Sequence, residues 1–226
     1  MQHLAISCLD RLTERDFRFI ENAFAGDNSQ CPSLQWLFED PETLPSILEH
    51  DVVFRKVVEM PFPLDISPQF YFYVLVRRAL KDAGIKEVEI ADYVAAALAD
   101  NVCGRSAAPV GTEKPDYDFT YHIDFLAAIE AASAYDRFFL EVECGNRFLV
   151  LTGLFPAFLE HRANRRGAPG LEYYEEVARN AFVAAGGRPL AEEFAVASIY
   201  SQLAACLSET RRALNRMSEE MLFLGR

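Results

Sequence analysis

The sequence predicts an all-α protein, a compact array of about eight to ten helices around one buried helix at 68–83. Apolar residues recur at helical spacing along most of the chain. The breaks between these runs hold the residues that begin and end helices. No alternating strand–helix pattern is visible. With 226 residues the chain can bury its own core, so one helical domain over 1–226 is expected, with two closely packed halves as the alternative.

The central helix is marked at both ends. Ser67 can cap its first free N–H groups, Pro68 suits the first helical position, and Gly84 suits the end. Residues 70–76 are apolar or aromatic without a break, which is also typical of a buried strand. The length between the two end signals favours a helix, and neighbours must cover it on all sides.

The chain before this helix divides into two parts. Thr13 opens a first helix that carries Phe17, Ile20 and Phe24 on one face. Residues 31–67 form a proline-rich layer, and prolines at this density favour short helices. These are predicted at 33–39, 42–49 and 51–59.

The chain after it continues as helices around a long loop. Helices are predicted at 87–101 and 118–133, and the glycines and prolines of 103–117 predict the loop between them. Residues 135–155 could form a hairpin around Cys144, Gly145 and Asn146. A helix is favoured, because small and apolar residues share one helical face of this stretch and a lone hairpin is only marginally stable. The residues of that face are Phe138, Val142, Gly145, Leu149 and Gly153.

The last third of the chain predicts four more helices. Pro156 begins the first, and Gly170 precedes the second, which ends at Gly186. A single long run begins at Pro189 and reaches Leu207, and the last helix covers 208–224.

Four segments, at 67–84, 151–156, 166–175 and 213–218, resemble those of a family of bacterial all-helical proteins labelled hypothetical. The likeness spans most of the chain and contains no catalytic motif. The family has no assigned activity, so the resemblance implies a helical fold and no residue roles.

The charge and the cysteines indicate a compartment and exclude some partners. A formal charge of −12 argues against nucleic acid and anionic membrane surfaces as partners. No early segment reads as a signal peptide, and no apolar run is long enough to span a bilayer. Five scattered cysteines without a C-x-x-C pair suit a reducing compartment, so the cytoplasm is expected.

No common catalytic signature is present in the sequence. G-x-S-x-G, the phosphate-binding glycine loops and H-E-x-x-H are all missing. The leading hypothesis is a non-catalytic cytoplasmic module that binds a protein partner or a small ligand through its helical surface, with no cofactor. A self-associating structural subunit is one alternative.

A helical-bundle, oxygenase-like metal enzyme is the other alternative. Asp118 and His122 are four residues apart and could face one metal ion, with further ligands from Glu141 and Glu143, or from Glu172 and Glu175. The favoured interpretation is that Asp118 caps the helix and that His122 packs against the protein or faces solvent. Pairs at this spacing often arise by accident.

A cationic turn suggests an anion site. Its members are His161, Arg162, Arg165 and Arg166, and they precede the helix N-terminus at Gly170. They could instead dock an acidic patch of a second subunit. The favoured interpretation is that they complement their own helix end and pair with Glu172, Glu175 and Glu176.

Tyr73 and Arg77 are the candidates for a ligand pocket on the central helix. They lie where its apolar half meets its cationic face, and an Arg beside tyrosines could bind a planar or anionic ligand. More often such a stripe belongs to the core. Cys103 could be a reactive thiol if exposed, although the inert interpretation is favoured.

Overall fold

The structure is a computed structural model that describes residues 7–25, 40, 43–60, 65–104 and 122–222. Within these ranges the chain forms twelve α-helices and no strand, which confirms the all-α prediction. A short 3-10 helix, Leu9–Arg11, precedes them. The helices are α1 (Glu14–Ala25), α2 (Thr43–Leu48), α3 (Asp51–Val58), α4 (Pro68–Asp82), α5 (Val88–Val102), α6 (His122–Ala131), α7 (Ala134–Leu154), α8 (Pro156–Arg166), α9 (Leu171–Gly186), α10 (Pro189–Glu193), α11 (Ala197–Ala205) and α12 (Leu207–Glu220).

The predicted central helix is α4, and its end signals act as expected. The Ser67 hydroxyl accepts a hydrogen bond from the Phe70 N–H at 3.1 Å, and Gly84 adopts a positive φ of 89°. Ten of the fifteen α4 residues are buried. The helix packs against α5 and α12 and carries α3 on another side. It is therefore a core element, as predicted.

Residues 134–154 form one helix, so the helix predicted for this stretch is confirmed and the hairpin alternative is wrong. Fourteen of the twenty-one α7 residues are buried, so α7 shares the centre with α4 and α5. A Cβ on Gly145 would lie 2.8 Å from Phe182 Cε1, and one on Gly153 would lie 2.8 Å from Leu214 Cδ1. The two glycines thus allow α9 and α12 to approach α7 closely, as the small-residue face predicted.

A buried carboxylate joins the start of α1 to the start of α4. Asp16 accepts hydrogen bonds from the Thr13 N–H at 2.7 Å and from the Ser67 N–H at 2.7 Å. The Ser67 hydroxyl also donates to it at 2.8 Å. Asp16 is fully buried, so these bonds replace its contacts with water.

The proline-rich layer follows its prediction where it is described. α2 and α3 correspond to the helices predicted at 42–49 and 51–59. The helix predicted at 33–39, and residues 105–117 of the predicted loop, lie outside the described residues.

The single run predicted from Pro189 is wrong. α10 ends at Glu193, Ala195 has a left-handed φ of 55°, and α11 begins at Ala197. Between the two helices the Phe194 ring stacks on Phe138 at 5.9 Å. Helical spacing continues across the break, and the position of the break depends on this tertiary contact.

No single helix in the described ranges has the length and apolar composition needed to cross a bilayer. α7 and α8 meet both criteria only as a pair, and this pair is bent by 91°.

Candidate ligand-binding groove

The two residues predicted for a ligand pocket do not share one. Tyr73 is fully buried, and its hydroxyl has no hydrogen-bond partner among the described residues. Arg77 is also buried, with its Nε 2.6 Å from Glu49 and its Nη1 2.8 Å from the Lys86 carbonyl oxygen. Arg77 reaches a surface cavity of about 550 Å³ that Tyr73 does not line.

This charged cavity is lined by α2, the turn after it, α3 and α4, and its charges pair with one another. Besides Arg77, Lys81 contacts Glu49 at 2.7 Å, and Arg78 contacts Asp51 at 2.7 Å. Burial raises the pKa of Glu49, but hydrogen bonds from Lys81 and Arg77 outweigh it and leave that pKa below its usual value. Every lining arginine and lysine thus has a carboxylate partner.

The cationic turn lies at the end of α8. Arg162 is buried with its guanidinium 5.5 Å from the centre of the Phe158 ring, while His161, Arg165 and Arg166 are exposed. The four side chains therefore do not converge on one anion site.

The predicted pairing of this turn with Glu175 and Glu176 is wrong. Both carboxylates contact Arg179, within their own helix α9, at 3.3 Å. Glu175 also binds Ser208 and Arg211 across to α12. Arg179 lies one turn further along the same helix, so it is a nearer partner than the cationic turn, which precedes residues 167–170.

Among the described residues no cluster of three or more His, Cys, Asp or Glu could hold a metal ion. His122 begins α6, and its Nδ1 lies 2.8 Å from the Tyr173 hydroxyl; burial lowers its pKa. Glu141 is bound by Arg188. Asp118 lies outside the described residues, and Cys103 is exposed.

An apolar cavity of about 410 Å³ lies on another side of α4. Its wall comes from α3, α4, α5, the α7–α8 junction and the residues after α12. Among the described residues no Asp, Glu, Lys, Arg or His lines it. Leu75 and Leu98 lie in its wall, and Val102 and Phe155 lie at its exposed edge.

A second cavity, of about 290 Å³, lies beside the apolar one, and we call it the Arg147 cavity. Arg147, Leu151 and Phe158 line it, and Asn101 and Phe155 line both cavities. The two cavities therefore adjoin, and together we call them the groove.

The bend between α7 and α8 lies where the two cavities of the groove meet, at Phe155. Pro156 takes the first position of α8, and Phe155 leaves helical geometry at φ −127° and ψ 45°. α8 then turns away by 91°. Phe155 and Phe158 stay 42% and 48% exposed, instead of continuing the buried face of α7.

No protein family, curated protein or solved structure matches this chain. The resemblance to bacterial hypothetical proteins therefore stays a prediction.

The tyrosines considered beside Arg77 include Tyr71, which lines the apolar cavity, but the other residues of the groove were not predicted. Two signals could have indicated them. One is the pair of phenylalanines on either side of Pro156, where an apolar run must break. The other is Arg147, a single cation directly before the apolar residues 148–151.

Proposed function

We propose that the protein is a non-catalytic binding module that holds an apolar small molecule in the groove. The observation that carries this proposal is the lining of the apolar cavity, which has no charged side chain among the described residues. The protein as a whole has a net charge of −12, so a surface concavity without charges stands out from the rest.

The exposed edge of the groove supports a ligand. Val102 is 64% exposed, and Phe155 and Phe158 are almost half exposed. Covering such groups releases water and stabilises a complex by about 25 cal/mol for each Å² of apolar surface. A ligand that lies across Phe155 would contact both cavities.

The size of the groove favours a small molecule over a protein partner. Ligand sites usually enclose about 300–1,000 Å³, and the two adjoining cavities measure about 410 and 290 Å³.

The chemistry of the lining supports a non-catalytic role. General acid–base catalysis commonly uses His, Glu, Asp, Lys, Tyr or Cys, and of these the described lining of both cavities contains only Tyr71. Burial raises the pKa of Tyr71, which makes its hydroxyl a weaker acid. The cytoplasmic location expected from the scattered cysteines belongs to the same proposal.

The test uses Nile red, a neutral dye that fluoresces in apolar surroundings. We expect saturable binding to a single site. Val102→Asp places a charge at the edge of the groove and should weaken dye binding about tenfold or more. The matched control is Val183→Asp, because Val183 is 59% exposed, lies near the end of α9 and lines neither cavity.

Equal affinity in Val102→Asp and the wild type would overturn the proposal. So would an equal loss in both variants, because the dye would then report general destabilisation. Light scattering on the same samples tests self-association. If Val102→Asp converts a dimer to a monomer without changing dye binding, a second copy covers the groove and the structural-subunit alternative replaces this proposal.

A further inference from the structure

Arg147 differs from the other partly buried arginines of the described chain. Its side chain is neither buried nor freely exposed, and it forms no hydrogen bond, ion pair or ring contact with any residue that the structure describes. By contrast, Arg77, Arg188 and Arg211 each contact a carboxylate within 3 Å. The arginines that share the lack of a partner lie exposed on helix surfaces.

A second polar side chain without a partner lines the same cavity. Asn101 lies near the end of α5, is partly buried, and forms no side-chain hydrogen bond in the described structure. Its amide can donate to a ligand, as the guanidinium of Arg147 can. Two donors thus line one cavity, and no described residue that lines it carries a carboxylate.

A partly desolvated guanidinium is stabilised by an anion, most of all by one that accepts two parallel hydrogen bonds. The Arg147 cavity supplies one positive charge, and the adjoining apolar cavity supplies none. A monoanion neutralises that charge. A dianion would leave an excess charge beside apolar walls, and a neutral head would leave the guanidinium without its counterion.

We infer that the groove binds a monocarboxylate with a hydrocarbon chain, its carboxylate held by Arg147 and Asn101 and its chain lying past Phe155 in the apolar cavity. This inference rests on the proposed function and specifies its ligand class. Arg147 acts as a specificity residue: it selects the head group, while the apolar wall supplies affinity for the chain.

The experiment measures how three ligands with the same chain displace Nile red, at concentrations below the critical micelle concentrations of the two ionic ligands and below the solubility limit of the alcohol. They are dodecanoate, dodecan-1-ol and dodecyltrimethylammonium. We expect the wild type to bind dodecanoate about 10- to 100-fold more tightly than the alcohol, the range expected for hydrogen bonds to a charged group. The cationic ligand should bind most weakly.

Arg147→Gln should abolish the preference for dodecanoate and keep the affinity for the alcohol, which shows at the same time that the groove is intact. Arg165→Gln is the matched control, because Arg165 is exposed on α8 and lines neither cavity. It should retain the wild-type preference. If Arg147→Gln does not fold, Arg147→Lys keeps the charge, loses the planar fork, and should lower the preference without abolishing it.

Equal binding of dodecanoate and dodecan-1-ol by the wild type would overturn this inference and leave the proposed function standing. A preference that survives in Arg147→Gln would overturn it too. Tighter binding of dodecyl phosphate than of dodecanoate would replace the carboxylate with a phosphate monoester. If the dye binds in the groove but none of the ligands displaces it, this inference fails and the proposed function stands; if the dye itself does not bind, the proposed function fails.

Discussion

The charged cavity and the groove lie on different sides of α4, and they differ in whether their cationic side chains have carboxylate partners. In the charged cavity Arg77, Arg78 and Lys81 all contact carboxylates of the same chain. In the groove Arg147 has no such contact, although it is also partly buried. Both cavities are large enough for a small molecule, so size alone does not distinguish them.

The difference separates the structural role of the charged cavity from the binding role that we propose for the groove. Paired charges in the charged cavity hold α3 and the end of α2 against α4, and an incoming anion would have to break those pairs. The described lining of the groove contains no carboxylate that an incoming anion would displace. A cavity that neutralises its own charges is therefore a poorer binding site than one with an unpaired donor and apolar walls.

The largest expected effect lies in the charged cavity. Glu49→Ala removes the carboxylate partner of the buried Arg77 and should lower the free energy of unfolding by about 3 kcal/mol, because a buried charge is left without its counterion. Urea denaturation measures this. Asp51→Ala is the control, since Asp51 pairs with Arg78 at the surface. This substitution should lower the free energy of unfolding by much less. Similar losses in the two variants would contradict the structural role of the buried pair.

A smaller effect is expected from pH. Hydrogen bonds from Lys81 and Arg77 outweigh burial and hold the pKa of Glu49 below its usual value. A carboxylate with a lowered folded pKa stabilises the protein above its unfolded pKa, near 4.5, and this contribution is lost as the pH falls through the folded pKa.

Urea midpoints measured from about pH 7 down to about pH 3 test this sign. The wild type should be more stable than Glu49→Gln at neutral pH, and the difference should shrink on acidification. The pKa of Glu175 is also lowered, and Glu175 is present in both proteins. Its contribution to the pH dependence of stability is therefore the same in both and cancels in the difference. A difference that stays constant with pH would show that Glu49 contributes no ionic pairing.

The smallest effect is expected in the groove. Arg147→Met keeps an unbranched apolar side chain and removes a charge that has no partner among the described residues, so the free energy of unfolding should change by less than about 0.5 kcal/mol. Arg77→Met is the matched comparison and should be clearly destabilised. A large loss in Arg147→Met would mean that Arg147 is structural and that the contrast between the two cavities is wrong.

Local signals were enough to predict the helices that have clear ends. Ser67, Pro68 and Gly84 delimit α4, and Pro156 begins α8, because caps and proline act within one turn of the chain. The spacing of Gly145 and Gly153 also predicted that α7 would be a closely packed helix. The break at Ala195 was missed, because it depends on the packing of Phe194 against Phe138.

The predicted site residues Tyr73 and Arg77 lie outside the proposed groove. Tyr73 and Arg77 have suitable chemistry, but whether an arginine is free depends on carboxylates that are distant in sequence. Glu49 is 28 residues from Arg77 and binds it. Arg147 has no counterion among the described residues. Its position before apolar residues is a local signal, but that signal does not show whether a distant carboxylate pairs with it.

The sequence alone determined the all-α class and the positions of most helices, because spacing and end signals are properties of neighbouring residues. Only the tertiary structure decided which cations are paired and where a concave apolar surface remains. Ion pairs and cavities depend on side chains that are far apart in the chain. In this protein the lack of a described partner for Arg147 and the 91° angle between α7 and α8 are results of that kind.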